Sequence, residues 1–170
     1  MKVSLSGSTM TIDDQDIHFM GLALELADKA ESAGEVPVGA VLVREGRIIG
    51  EGFNQPIGNH DPSAHAEIMA LRDAGRREAN YRLPDSTLYV TLEPCPMCAG
   101  AIVHARVRRV VFGAPDPRSG AAGSVFDLLP SDGRFNHTTA VDGGVMAEEC
   151  ATKLRRFFRR RREQQKASAD

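Results

Sequence analysis

Apolar residues at Ile17, Met20, Leu24, Ala27 and Ala30 recur at three- and four-residue spacing, which predicts a first helix over residues 13–33. Asp13, Asp14 and Asp16 open it, where acidic groups meet unpaired N–H groups, and Gly34 follows its end. Two β-rich runs, 36–43 and 47–54, flank Arg44-Glu45-Gly46 and read as a hairpin. Residues 55–62 hold two prolines and Gly58 and read as a loop. Ile68, Met69 and Leu71 suggest a second helix over 65–74, and 86–92 is a strand stopped by Pro94. A third helix is expected over 96–105, small on one side at Ala99, Gly100 and Ala101. A strand at 107–113, a Gly-, Pro- and Ser-rich loop at 115–124, a short strand at 138–141 and a last helix over 146–164 complete the chain. A hairpin followed by alternating helix and strand indicates a three-layer α/β/α domain around a mixed five-stranded sheet.

Composition leaves that reading intact. The 170 residues suit one domain, with 42% hydrophobic and 26% charged residues, as in ordinary globular proteins. The expected division is a flexible extension at 1–12, one domain at 13–165 and a disordered tail at 166–170. No run approaches the roughly 18 apolar residues of a membrane span, and the N-terminus lacks the apolar core of a secretory signal. A cytoplasmic protein with no membrane role is therefore expected. Charge does change the picture, because residues 151–170 hold eight Lys or Arg against Glu163 and Asp170, a balance of +6. That leaves 13 positive and 21 negative charges, or −8, on the first 150 residues, behind a net charge of only −2.

Candidate chemistry concentrates between residues 63 and 98. Cys95 and Cys98 stand three apart at the start of the third helix, with both sulfurs on one side of its first turn. The helix N-terminus favours thiolates. Alone, this spacing fits a redox pair or coincidence as well as a metal. His65 opens another helix 30 residues upstream, and the intervening strand can set the two helix starts side by side. Glu67 follows His65 by two residues, about 200° around a helix, so both reach one ligand only over the helix end. Structural zinc sites use four protein ligands; His65, Cys95 and Cys98 supply three, which leaves a fourth position for water. Such a metal lowers the pKa of its water toward about 7, and Glu67, not needed as a ligand, is a carrier for the proton.

His65-Ala66-Glu67 with Pro94-Cys95-Pro96-Met97-Cys98 resembles the H-x-E…P-C-x-x-C signature of the zinc-dependent nucleoside and nucleobase deaminases. Within that superfamily the chain looks like the bacterial tRNA-specific adenosine deaminases. The words that carry the likeness are Glu35-Val36-Pro37-Val38-Gly39-Ala40-Val41, Asn54-Gln55-Pro56-Ile57-Gly58, His60 to Ile68, Thr91 to Cys95, Val110 to Ala114 and Gly120 to Ser124. The resemblance covers about Ile17 to Arg160, nearly the whole domain. The resemblance implies a cytidine-deaminase-like fold and one Zn2+ per subunit on His65, Cys95 and Cys98. It also implies a homodimer, for which the Ala99, Gly100 and Ala101 face is a candidate. The implied reaction is hydrolysis of the wobble adenosine of a tRNA anticodon to inosine, with hydroxide attack at C6 and Glu67 carrying protons.

By the same resemblance Asn54 would bond the flipped base, its other reading being a strand-end turn residue. The backbone N–H of Ala66 would reach the base edge. Asp116 would contact a ribose hydroxyl, although Asp before Pro is equally a common turn starter. Asn136, with His137, resembles a family word near the RNA path. Arg159, Arg160, Arg161 and Arg162 read equally as tRNA backbone contacts in the anticodon stem-loop or as a solvated helix face. Few aromatics (5%) and no Trp argue against a broad stacking platform, so the base should enter one small pocket. Cys150, on a face with Leu154, Phe157 and Phe158, belongs to the core; His104 reads as a structural or phosphate-side histidine rather than a ligand, and His18 and His60 as surface or loop residues. Two alternatives share these residues: a deaminase of a free base or nucleotide such as cytosine, cytidylate or guanine, and a non-catalytic zinc or RNA-binding module.

Overall fold

A computed structural model describes residues 13–129 and 133–169. Five strands form one sheet in the order β2-β1-β3-β4-β5. They are β1 (Gly39–Arg44), β2 (Arg47–Phe53), β3 (Thr87–Leu92), β4 (Arg109–Ala114) and β5 (Ala140–Gly143). β1 runs antiparallel to both β2 and β3, whereas β3, β4 and β5 are mutually parallel, giving the mixed sheet that the sequence predicted.

β1 is buried on both faces, so its alternating side chains feed two cores. Ala40 and Leu42 join Leu88, Val90 and Val110 beneath α3 (Ala66–Glu78) and α4 (Pro96–His104). Val41 and Val43 join Tyr89 and Val111 beneath α1 (Asp14–Ser32) and α5 (Ala147–Ser168). These are the expected three layers. α3 sits directly on the backbone of the edge strand β2, because Gly50 and Gly52 present no side chain to it. A Cβ at Gly52 would lie 2.4 Å from the Ala70 nitrogen and 2.6 Å from the Ala66 oxygen. This seat fixes where α3 begins, and His65 and Glu67 lie at that beginning.

α1 opens with Asp13, whose carboxylate accepts the Asp16 N–H at 3.0 Å. Asp16 is buried and serves a second purpose. Arg109 of β4 donates to both its carboxylate oxygens at 2.9 Å, and Tyr89 of β3 donates to it at 2.8 Å. Arg109 also reaches Asp142 of β5 at 2.8 Å, so one ionic cluster ties α1 to three strands.

Element boundaries moved where tertiary contacts outweigh local pattern. The loop expected at 55–62 holds a short turn of helix, α2 (Pro56–Asn59), because Glu35 accepts the N–H groups of Ile57 and Gly58. α5 continues to Ser168, so the tail expected to be disordered at 166–170 is helical over most of its length. Gln164, Gln165, Lys166 and Ala167 are good helix formers and include no Gly or Pro to stop it. The extension expected at 1–12 lies outside the described residues. No helix among the described residues is long and apolar enough to cross a membrane.

Candidate active site

His65 and Cys95 are the N-cap residues of α3 and α4, and Cys98 lies in the first turn of α4. The two helix starts therefore converge end-on, as their spacing requires. The His65 Nδ1 lies 3.6 Å from the Cys95 Sγ and 3.5 Å from the Cys98 Sγ, and all three donor atoms fall within 4.8 Å of one another. Tetrahedral zinc, with bonds of about 2.0 Å to nitrogen and about 2.3 Å to sulfur, sets such ligands about 3.6 Å apart. The donor set fits zinc in chemistry and in spacing.

Electrostatics favour the same reading. The hydrogen bond from Cys98, reinforced by His65, holds the Cys95 thiol down at about 4 against the opposing effect of burial. The same bond and deep burial push Cys98 up, so the protein alone stabilises one thiolate and a metal cation is what would stabilise two. His65 is raised through its hydrogen bond to Cys95. Glu67 is 4% exposed, and burial pushes its carboxyl up to about 7. A carboxyl near neutrality both takes and returns a proton at physiological pH.

Around this set the structure brings some predicted residues together and reassigns others. Asn54, at the end of β2, accepts the Ala66 N–H at 2.8 Å with its Oδ1 and so caps α3 from outside the helix. The Ala66 N–H, expected to reach the base edge, is thus engaged within the protein. Only the Asn54 amide NH2 remains for a substrate, with no protein acceptor among the described residues. Asp116 closes its own turn, accepting from the Arg118 N–H at 2.9 Å and the Ser119 hydroxyl at 3.1 Å. Asp116 thus starts a turn, as one of its two readings expected. Asn136 is exposed, while His137 is anchored through Nε2 to the Val107 carbonyl at 2.7 Å. Ala99 is fully buried in the core and does not share the outer face of α4 with Gly100 and Ala101.

The zinc-binding region of the cytidine and deoxycytidylate deaminases matches residues 13–114. The chain belongs to this deaminase family. It is 59% identical over 152 residues to the tRNA-specific adenosine deaminase of Haemophilus influenzae, covering 89% of this chain and 87% of that protein. With the enzyme of the same name from Bacillus subtilis it shares 48% identity over 154 residues, 91% of this chain and 95% of the other. A solved tRNA:A34 deaminase, studied for A-to-I editing at the wobble position of transfer RNA, superposes with a TM-score of 0.78 at 45% identity. That match covers 81% of this chain and 99% of the solved one. A guanine deaminase from Bacillus subtilis matches with a TM-score of 0.57 at 40% identity over 69% of this chain and 73% of that one.

At the carboxyl ends of β3 and β4, where the chain leads from Leu92 to Cys95, lies a cleft of about 710 Å³. Leu92, which ends β3 three residues before Cys95, forms part of it with Asp116, Ser119 and, from α5, Arg155, Phe158, Arg159 and Arg162. Helical geometry thus divides the arginine run. Arg159 and Arg162 face the cleft, whereas Arg160 pairs with Glu31 of α1, and Arg161 covers the Phe157 ring at 4.9 Å and donates to the Gly34 carbonyl at 3.4 Å. Sequence reasoning missed Arg155 as a cleft residue; its position four before Arg159 was the available signal. It also missed Glu35 and Glu93, 2% exposed each, which an isolated acidic residue inside an apolar run would have flagged.

Proposed function

We propose that this protein is a zinc-dependent hydrolase that deaminates adenosine to inosine at the wobble position of a tRNA anticodon. One observation carries the chemistry: three soft donors at zinc spacing, with a fourth, buried carboxyl beside them that no ligand set requires. His65, Cys95 and Cys98 would hold the ion. When bound, a three-ligand zinc lowers the pKa of water toward about 7 and so supplies a nucleophile at neutral pH. Glu67 takes one proton of the attacking water and delivers it to N1 of the adenine as C6 is attacked, then takes the remaining proton from the hydroxyl on C6 and gives it to the amine, which leaves as ammonia. Asn54 orients the base through its Nδ2, held by the bond of its Oδ1 to Ala66.

Substrate choice rests on the cleft and on the likeness to proteins named as tRNA deaminases. Arg155, Arg159 and Arg162 give it a positive wall, suited to the phosphates of a single-stranded anticodon loop from which the target base is splayed. A homodimer would use the outer face of α4, where Met97 is 40% exposed and a Cβ at Gly100 would meet nothing within 4 Å. The protein would work in the cytoplasm. Purified protein is given unmodified tRNA carrying a wobble adenosine, and in parallel free adenosine, cytidine and guanine. Inosine should form at the wobble position of the tRNA. Turnover of the free compounds without tRNA inosine would overturn the reading.

A further inference from the structure

Glu93 lies at the junction of β3 and α4, two residues before Cys95, and is 2% exposed. A buried carboxylate is costly unless donors surround it. Here they come from the loop that follows β4. The backbone N–H groups of Asp116, Ala122 and Ser124 donate to it at 3.0, 2.9 and 3.1 Å, and the Ser124 hydroxyl donates as well. Gly120 packs so closely that a Cβ there would lie 2.3 Å from the Glu93 Oε2. The adjoining backbone adds a further tie, the Ala121 N–H donating to the Pro94 carbonyl at 2.7 Å.

We propose that Glu93 is a positioning residue for the RNA: its carboxylate is the hub on which the loop 115–124 is wound into the wall of the substrate cleft. This rests on the tRNA deaminase reading of the site. The charge and the loop shape depend on each other, because a loop that turned its N–H groups away would leave a buried carboxylate unpaired. The arrangement selects one loop conformation and fixes it relative to Cys95, so the distance from the RNA-facing turn at Asp116 to the metal donors is set before substrate arrives. Pre-setting it spares the ordering cost at binding. Glu93 itself faces the loop interior and reaches neither the donor atoms nor the cleft.

Glu93→Gln puts an NH2 among donors and leaves at least one of them without an acceptor. Wild-type protein is first shown to form inosine in an anticodon stem-loop; failure there counts against the function proposed above, not against Glu93. With that established, Glu93→Gln should raise KM for the stem-loop about tenfold or more, leave kcat within about twofold and keep one zinc per chain. Hydrogen exchange of the Asp116, Ala122 and Ser124 amides should quicken. Ser124→Ala, which removes one donor, should raise KM by about two- to fourfold and serves as the deciding variant if Glu93→Gln does not fold. Unchanged KM in a folded variant, or loss of zinc and kcat at unchanged KM, would overturn the proposal.

Discussion

Glu67 and Glu93 are both buried carboxylates near the metal donors, and their surroundings give them different work. Glu67 lies beside a histidine and two thiols in a space that raises it to about 7, so it exchanges protons readily. Glu93 is ringed by N–H groups and anchors a loop. Replacing Glu67 with Gln should lower turnover of a wobble-adenosine tRNA by about 100-fold to 10,000-fold with zinc content unchanged. Metal analysis beside a single-turnover assay checks this, and a matching loss of zinc would make Glu67 a ligand. His65, Glu67, Cys95 and Cys98 were legible because chemistry and spacing both single them out. The engagement of the Ala66 N–H was not, since its partner Asn54 is 12 residues away and reaches it only through the packing of α3 on β2.

At the scale of elements, the placement of α1 depends on Asp16. Burial raises its pKa, but hydrogen bonds from Arg109 and Tyr89 outweigh that and hold the carboxyl below its usual range. A carboxyl lowered on folding contributes stability that is complete above the unfolded value and is lost as pH falls through the folded one. Urea midpoints should therefore drop as pH falls below about 4. Asp16→Asn should flatten that descent while destabilising the protein by about 3 kcal/mol or more at neutral pH, because Arg109 loses its bidentate partner. A variant curve as steep as that of the wild type between pH 2 and pH 5 would remove Asp16 from the account. The sequence marked Asp16 as a helix-start acid; that it also gathers β3, β4 and β5 follows from strand order, which no local pattern encodes.

Across the whole molecule the +6 segment on a −8 body is not one uniform patch. Arg160 is taken up by Glu31 of α1 and Arg161 by the Phe157 ring and the Gly34 carbonyl, and the cleft receives Arg159 and Arg162. Each phosphate neutralised on single-stranded RNA contributes about 0.7 to the slope of log affinity against log salt. The double substitution of Arg159 and Arg162 by Gln should therefore weaken tRNA binding and reduce that slope by about 1. Arg160→Gln should leave the slope unchanged. Filter-binding titrations over a range of salt concentrations distinguish the two, and equal effects from both variants would return the arginine run to a non-specific charge.

By itself the sequence singled out His65, Cys95 and Cys98 as candidate metal ligands and Glu67 as candidate proton carrier, and indicated that hairpin, helices and strands stack in three layers. Those properties are set by residue chemistry at short spacing and by hydrophobic period. Only the tertiary structure decided how the walls around the site are held. The division of the arginines, the capping of α3 by Asn54 and the winding of a loop about Glu93 all depend on partners well separated in the chain. They meet because α3 rests on a glycine-lined strand and because β3 and β4 lie side by side. A backbone N–H has no signature in the sequence, so the acceptor that will claim it is visible only when the chain is folded.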